Sequence, residues 1–269
     1  HAIWGLGMVA READRKTPGA GAKILLPLIP LLQGEDPEVR AQTAKVLGES
    51  RVAEAYEELL KTLRDEVVVH VSFFSAQALA KLARKECVTQ VLIMARSMSD
   101  HGPVLRHGYV QALAAAHDLP ALQEAAQHTD PVVRMVALLA LRRLERPEVA
   151  QFLTDEDPLL VIEAARAIYD VPITPALPQL AALLAKPSAD EQLMLRVLGA
   201  AFRTGTPEAA KALAAFAASD AASDALRHEA RELLALWPQP PARDRVTGLP
   251  RPLPAREAAP KAAHPAPAR

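Results

Sequence analysis

One phrase recurs along this chain and narrows what it can fold into. Asp36-Pro37-Glu38-Val39-Arg40 leads into Ala44-Lys45-Val46-Leu47-Gly48, and Asp130-Pro131-Val132-Val133-Arg134 leads into Ala137-Leu138-Leu139-Ala140-Leu141. Asp157-Pro158-Leu159-Leu160-Val161 leads into Ala164-Ala165-Arg166-Ala167-Ile168 in the same way. Weaker copies centre on Val71-Ser72, Leu105-Arg106, Leu195-Arg196 and Leu226-Arg227. With Arg40 as the marker, the copies stand at positions 40, 72, 106, 134, 161, 196 and 227. A unit of roughly 31 residues cannot bury its apolar face alone and must stack on its neighbours.

The phrase is a helix start. Aspartate accepts a hydrogen bond from a free backbone N–H, and proline suits the first helical position because it has no donor to leave unpaired. Val39, Ala44 and Leu47 then share one face, where small Ala and Gly residues let the next helix come close. Between the markers lie candidate first helices at Val52 to Leu63, Val88 to Met98, Ala121 to His128, Pro175 to Ala185 and Pro207 to Ala218. Thr174-Pro175 and Thr206-Pro207 repeat the start signal, and Pro147 to Leu153 is a stunted first helix. Two prolines within Ile24 to Leu32 predict a kinked helix.

Composition agrees with helices. Half of the residues are apolar but only 4% are aromatic, and alanine and leucine dominate. The predicted fold is all-α: an α-solenoid of about seven short helix-turn-helix repeats over residues 1–237. Residues 238–269 hold nine prolines without apolar periodicity and are expected to be a disordered Pro/Ala-rich linker or tail.

The repeat resembles HEAT repeats, in the compact variety. Further phrases resemble one family more closely: His1-Ala2-Ile3-Trp4-Gly5-Leu6-Gly7, Leu105-Arg106-His107-Gly108, Ala140-Leu141-Arg142-Arg143-Leu144, and the run from Glu163 to Ile173. Asp244-Arg245-Val246-Thr247-Gly248, followed by Arg251-Pro252-Leu253, completes the set. Together they resemble the HEAT-repeat segment of large bacterial haem-binding, membrane-bound-dehydrogenase-like proteins. That family joins a quinoprotein-type propeller, a HEAT region and a c-type haem module in one exported chain.

The resemblance implies a non-catalytic spacer between the two redox modules, in a periplasmic or cell-envelope setting. The parent chain would be an oxidoreductase carrying haem and a quinone cofactor. No Cys-x-x-Cys-His occurs here, so no haem or dehydrogenase residue carries over, and this segment is expected to hold no cofactor. Residues 1–10 read as the second helix of a repeat. The natural gene is therefore expected to continue upstream with another repeat, and downstream toward a haem module.

Other chemistry finds weak footing. Gly19-Ala20-Gly21-Ala22-Lys23 lacks the spacing, strand and hydroxyl of a phosphate-binding loop. His101, His107 and His117 are not spaced as ligands on one helix face. The neighbouring carboxylates Glu57/Glu58 and Glu156/Asp157 diverge around a helix, and Cys87 has no cue for an activated thiol.

The arginines at 40, 106, 134, 196 and 227 are the more informative series, expected to stack as a structural ladder between repeats. The alternative is a basic stripe on the concave face that grips an acidic partner. Asp36, Asp130 and Asp157 are expected to be helix caps.

The charge balance of 31 basic against 32 acidic residues disfavours nucleic-acid binding, and no apolar run is long enough for direct membrane insertion. The residues themselves are silent on localisation. A protein partner is expected, whether a neighbouring module of the parent chain or another protein. The leading function is a non-catalytic scaffold and protein-interaction segment. The alternatives are an independent peptide-binding HEAT module and, from the enzyme class, a HEAT-like lyase or DNA glycosylase.

Overall fold

The computed structural model describes residues 1–96, 102–220 and 222–258. It forms two compact units, His1–Leu144 and Glu145–Arg269. Among the described residues there are helices and turns but no sheet; the only β-type pairing is one isolated bridge between Arg243 and Pro250.

The first unit opens with α1 (Ala2–Lys16) and α2 (Ala20–Leu25). After Leu25 the chain tightens into a 3₁₀ helix, Leu26–Gln33, with Pro27 at its start and Pro30 inside. The kink expected over residues 24–32 is thus a change of helix type, because proline withholds the N–H that an α-helix needs. There follow α3 (Pro37–Glu49), α4 (Tyr56–Asp65), α5 (Val69–Leu82), α6 (Val88–Arg96), α7 (Gly102–Ala116), α8 (Leu119–Ala125) and α9 (Pro131–Arg143). The end of the first helix expected to reach Met98 lies outside the described residues.

The second unit begins with a 3₁₀ stretch, Pro147–Thr154, the stunted first helix. It continues through α10 (Pro158–Asp170), α11 (Leu177–Ala181), α12 (Glu191–Thr204), α13 (Pro207–Ala217) and α14 (Asp224–Ala235). Short 3₁₀ turns, Thr174–Ala176 and Ala182–Ala185, flank α11.

The repeat markers all fall in second helices: α3, α5, α7, α9, α10, α12 and α14. Seven residues past the marker, Leu47, Leu79, Leu113, Leu141 and Ile168 are all fully buried. Burying each such side chain stabilises the fold by about 1.5–3 kcal/mol. The stacking is close where the residues are small. A Cβ on Gly48 would stand 2.6 Å from the Cα and Cβ of Ala78, so α3 and α5 can meet only with glycine there.

Five of the second helices, α3, α5, α7, α9 and α12, leave by a left-handed residue. Arg51, Ala83, His117, Glu145 and Gly205 have φ of 50°, 54°, 51°, 52° and 71° respectively.

Residues 238–258 depart from the expected linker. They fold back onto α10, α12 and α14 as part of the second unit, and Asp244 within them is only 6% exposed. Proline here shapes an extended path whose side chains bond to helix ends, so ordering does not need a periodic apolar face. The expected boundary at 237/238 is therefore not a boundary of the fold. The rest of the expected tail, 259–269, lies outside the described residues.

Candidate functional site

The helix starts bring the first polar groups into place. The Asp36 carboxylate accepts from the backbone N–H of Glu38 at 2.7 Å, Asp130 from Val132 at 2.9 Å and Asp157 from Leu159 at 2.9 Å. Asp190, Ser223, Asp118 and Thr206 do the same for α12, α14, α8 and α13. Thr174 does not cap: its hydroxyl turns back to the Pro172 carbonyl. α5 has no aspartate at its start. Its N-cap is Val68, with no side-chain cap, and Glu66 just before it accepts from the N–H groups of Val67 and Val68 at 3.0 and 2.9 Å.

Two marker arginines share one bonding pattern. Arg40 Nη1 donates to the carbonyls of Gly34 and Glu35, both at 2.9 Å. Arg134 Nη1 donates to the corresponding pair, His128 and Thr129, at 2.9 and 3.0 Å. Each arginine thus ties the start of its second helix to the loop before it. Arg40 also forms a two-point ion pair with Glu66, at 2.7 and 3.1 Å, which joins α3 to the start of α5. Burial alone would push the Glu66 carboxyl up, but its bonds to Arg40, Val68 and Val67 hold it below the usual range.

The other arginines do not continue that row. Met194, four residues after its cap Asp190, stands where Arg40 stands after Asp36. Arg196 is two positions further along α12 and pairs with Asp170 of α10 at 2.9 and 3.1 Å. Arg227 pairs with Asp220 and Asp224. Arg106 is exposed, and the stretch just before its helix lies outside the described residues. Arg40 and Arg196 thus tie neighbouring repeats, α3 to the start of α5 and α12 to α10, whereas Arg227, four residues after its cap Ser223 as Arg40 is after Asp36, pairs with carboxylates at the start of its own helix.

The densest polar cluster was not foreseen. Tyr169 on α10 donates its hydroxyl to Asp244 at 2.6 Å, and Arg203 on α12 reaches the same carboxylate oxygen at 3.3 Å. The other Asp244 oxygen accepts from the N–H of Val246, the N–H of Thr247 and the Thr247 hydroxyl. Burial would raise the Asp244 pKa, but the Tyr169 bond, the Thr247 bonds and the Arg203 charge leave it below the usual range. The Tyr169 hydroxyl is pushed up, first by burial and then by its bond to Asp244.

Arginines of the same segment close helix ends. Arg251 donates to the carbonyls of Tyr169 and Asp170 at the end of α10. Arg256 donates to Phe202 near the end of α12 at 2.8 Å and to Trp237 just past α14 at 2.9 Å. Terminal helix carbonyls lack partners within their own helix and carry partial negative charge, so a guanidinium suits them. The Arg256 guanidinium also lies 3.8 Å from the Trp237 ring centroid and 4.5 Å from that of Phe202. Arg245 forms a two-point pair with Glu229 of α14 at 2.6 and 2.7 Å. A small pocket of about 20 Å³ remains beneath residues 241–253, which lie across α12 and α14 as a strap, with room for about one water. Asp-x-x-Thr-Gly is a turn signature, and it was the signal available in the sequence.

In the first unit the corresponding helix face is open. Trp4 on α1 is 54% exposed and donates its indole N–H to Gln42 of α3 at 3.0 Å. The Lys45 ammonium lies 5.4 Å from the Trp4 ring centroid and 5.6 Å from that of Phe74 on α5. Gln77 on α5 donates to Gln111 on α7 at 3.2 Å, and Gln111 bonds His107 at 2.7 Å.

The remaining candidates sit apart from one another. Gly21 donates to Asp14 in a tight turn, His117 occupies a left-handed helix exit, and Asp157 is engaged as a cap. Cys87 is buried, and burial pushes its thiol up to about 11. His101 lies outside the described residues. Among the described residues no three His, Cys, Asp or Glu side chains gather as a metal site, and no helix is long and apolar enough to cross a membrane.

Residues 25–114 match the family model described as HEAT repeats. The match spans the end of α2 through most of α7. The all-α architecture of this protein is that of a HEAT-repeat solenoid. No curated protein matches the chain.

Among solved structures it is similar to the complex of CpcE and CpcF of phycocyanin lyase from Nostoc sp. PCC7120. The identity is 22%, the TM-score is 0.39, and the match covers 78% of this chain and 93% of that one. An engineered protein is similar at 22% identity and TM-score 0.39, covering 90% and 75%. Human deoxyhypusine hydroxylase is similar at 18% identity and TM-score 0.36, covering 88% and 96%. Similarities at these TM-scores add nothing on function.

Proposed function

We propose that this chain is a non-catalytic HEAT-repeat scaffold and protein-interaction segment. In the parent chain it would be the spacer between a quinoprotein-type dehydrogenase module and a c-type haem module of an exported bacterial protein. The observation that carries this reading is where the family-like phrases fall. Glu163 to Ile173 and Asp244 to Leu253 are far apart in sequence, yet Tyr169 bonds Asp244 and Arg251 bonds the end of α10. These phrases build a structural joint between distant parts of the chain, which supports a spacer role. The arginines at 40 and 134 are likewise engaged in ties within the fold.

On this reading the segment binds no cofactor itself, contacts neighbouring modules or another protein, and works in the periplasm or cell envelope. Reading the coding sequence on both sides tests it. The expected result is a propeller-type module upstream and Cys-x-x-Cys-His downstream in one frame, while the purified segment shows no Soret absorbance. A frame with neither module would overturn the parent assignment. A bound haem or a turnover traced to this segment would overturn the spacer role.

A further inference from the structure

Both units present an aromatic pair that holds a cation on the side of the second helices. In the second unit the pair is Phe202 and Trp237, and the cation is Arg256, delivered by an extended, proline-rich stretch of chain. In the first unit the pair is Trp4 and Phe74, and the cation is Lys45 of the intervening helix, held more distantly. An ammonium at 5.4 and 5.6 Å is a loose occupant. A guanidinium stacks on aromatic faces and gives up water more readily than an ammonium does.

We propose that the face of α1, α3 and α5 takes an extended, arginine-bearing segment of a partner protein, whose guanidinium enters between Trp4 and Phe74 in place of Lys45. The proposal rests on the interaction-segment reading and names the class of partner. Charge complements the choice. Glu38 is exposed beside the pair, held from one side by Gln42 at 2.7 Å and facing His70 at 3.6 Å, so its carboxylate is open to a second cation. Glu49, one turn beyond Lys45 on α3, is already paired with Arg11 at 2.9 Å, so a displaced Lys45 ammonium turns outward to solvent on its flexible stem. Gln42, Gln77 and Gln111 add amide groups that can bond to an extended main chain. The second unit shows this recognition carried out within one chain. Its covering segment is extended, Arg245 pairs with the Glu229 carboxylate of α14, and the Arg256 guanidinium is stacked on rings.

The test uses the full chain and a fluorescein-labelled peptide with the sequence of residues 249–257, read by anisotropy. Saturable binding is expected, weakened roughly tenfold by Arg256→Ala in the peptide and less by Arg256→Lys. Trp4→Ala and Phe74→Ala in the chain should weaken it similarly, with helical circular dichroism confirming the fold. Lys45→Ala should tighten binding a few-fold, because it removes the internal competitor; a purely structural role for Lys45 would not do so. Absence of saturable binding, or binding indifferent to Trp4→Ala and Phe74→Ala, overturns the proposal. Binding lost only with Arg203→Ala would place the peptide on the second unit, which overturns this site while the interaction reading stands.

Discussion

Arg134 is 6% exposed and donates to two part-buried loop carbonyls, so its replacement removes a charge-assisted tie between loop and helix. Arg134→Ala should lower stability by about 1.5–3 kcal/mol, seen as a lower midpoint in urea. Asp244 makes a pH prediction with a definite sign. Its folded pKa lies below the unfolded value, so its contribution is present above the ordinary aspartate range near ~4 and fades as pH falls through the folded value. Asp244→Asn should therefore destabilise the protein at neutral pH and flatten the acid limb of its stability curve. An acid limb identical to that of the parent would contradict this assignment. The helix caps were legible in the sequence because a cap needs only local order: an acceptor followed by free N–H groups. The Asp244 cluster was not, because its partners Tyr169 and Arg203 are distant in sequence and only stacking brings them near.

At the scale of elements, contact between second helices depends on small residues. Gly48→Ala would force α3 away from Ala78 and should cost about 1–3 kcal/mol, measured by thermal unfolding. The strap depends on its arginines. Truncation after Trp237 removes Arg245, Arg251 and Arg256 together, leaving the ends of α10 and α12 and the Trp237 ring uncovered. The truncated chain should melt earlier, and its tryptophan emission should shift to the red, since Trp237 is only 3% exposed in the intact unit. Unchanged melting and emission would return residues 238–258 to the status of a linker. Periodicity found the helix pairs, and proline marked a kinked and a stunted first helix where the structure has 3₁₀ stretches, because both signals act within a few residues. The same prolines hid the strap. Pro-rich composition ordinarily means too little apolar surface to fold, and here guanidinium bonds to helix ends supply the ordering instead.

Across the molecule, the repeats present one kind of face twice. The first unit leaves it open, and the second closes it with its own chain. Stability in such a stack comes from each repeat and its neighbours, so the closing segment should report on the unit it covers. Hydrogen exchange on the full chain measures this most directly. The N–H groups of Val246 and Thr247 are held by the Asp244 side chain, and those of Gly248 and Arg251 by the backbone carbonyls of Asp244 and Ala242. These amides should be protected in the parent protein and lose protection in Tyr169→Phe, while α3 and α5 remain protected. Exchange of residues 244–251 at the free-chain rate in the unsubstituted chain would show that this segment does not close the face of the second unit.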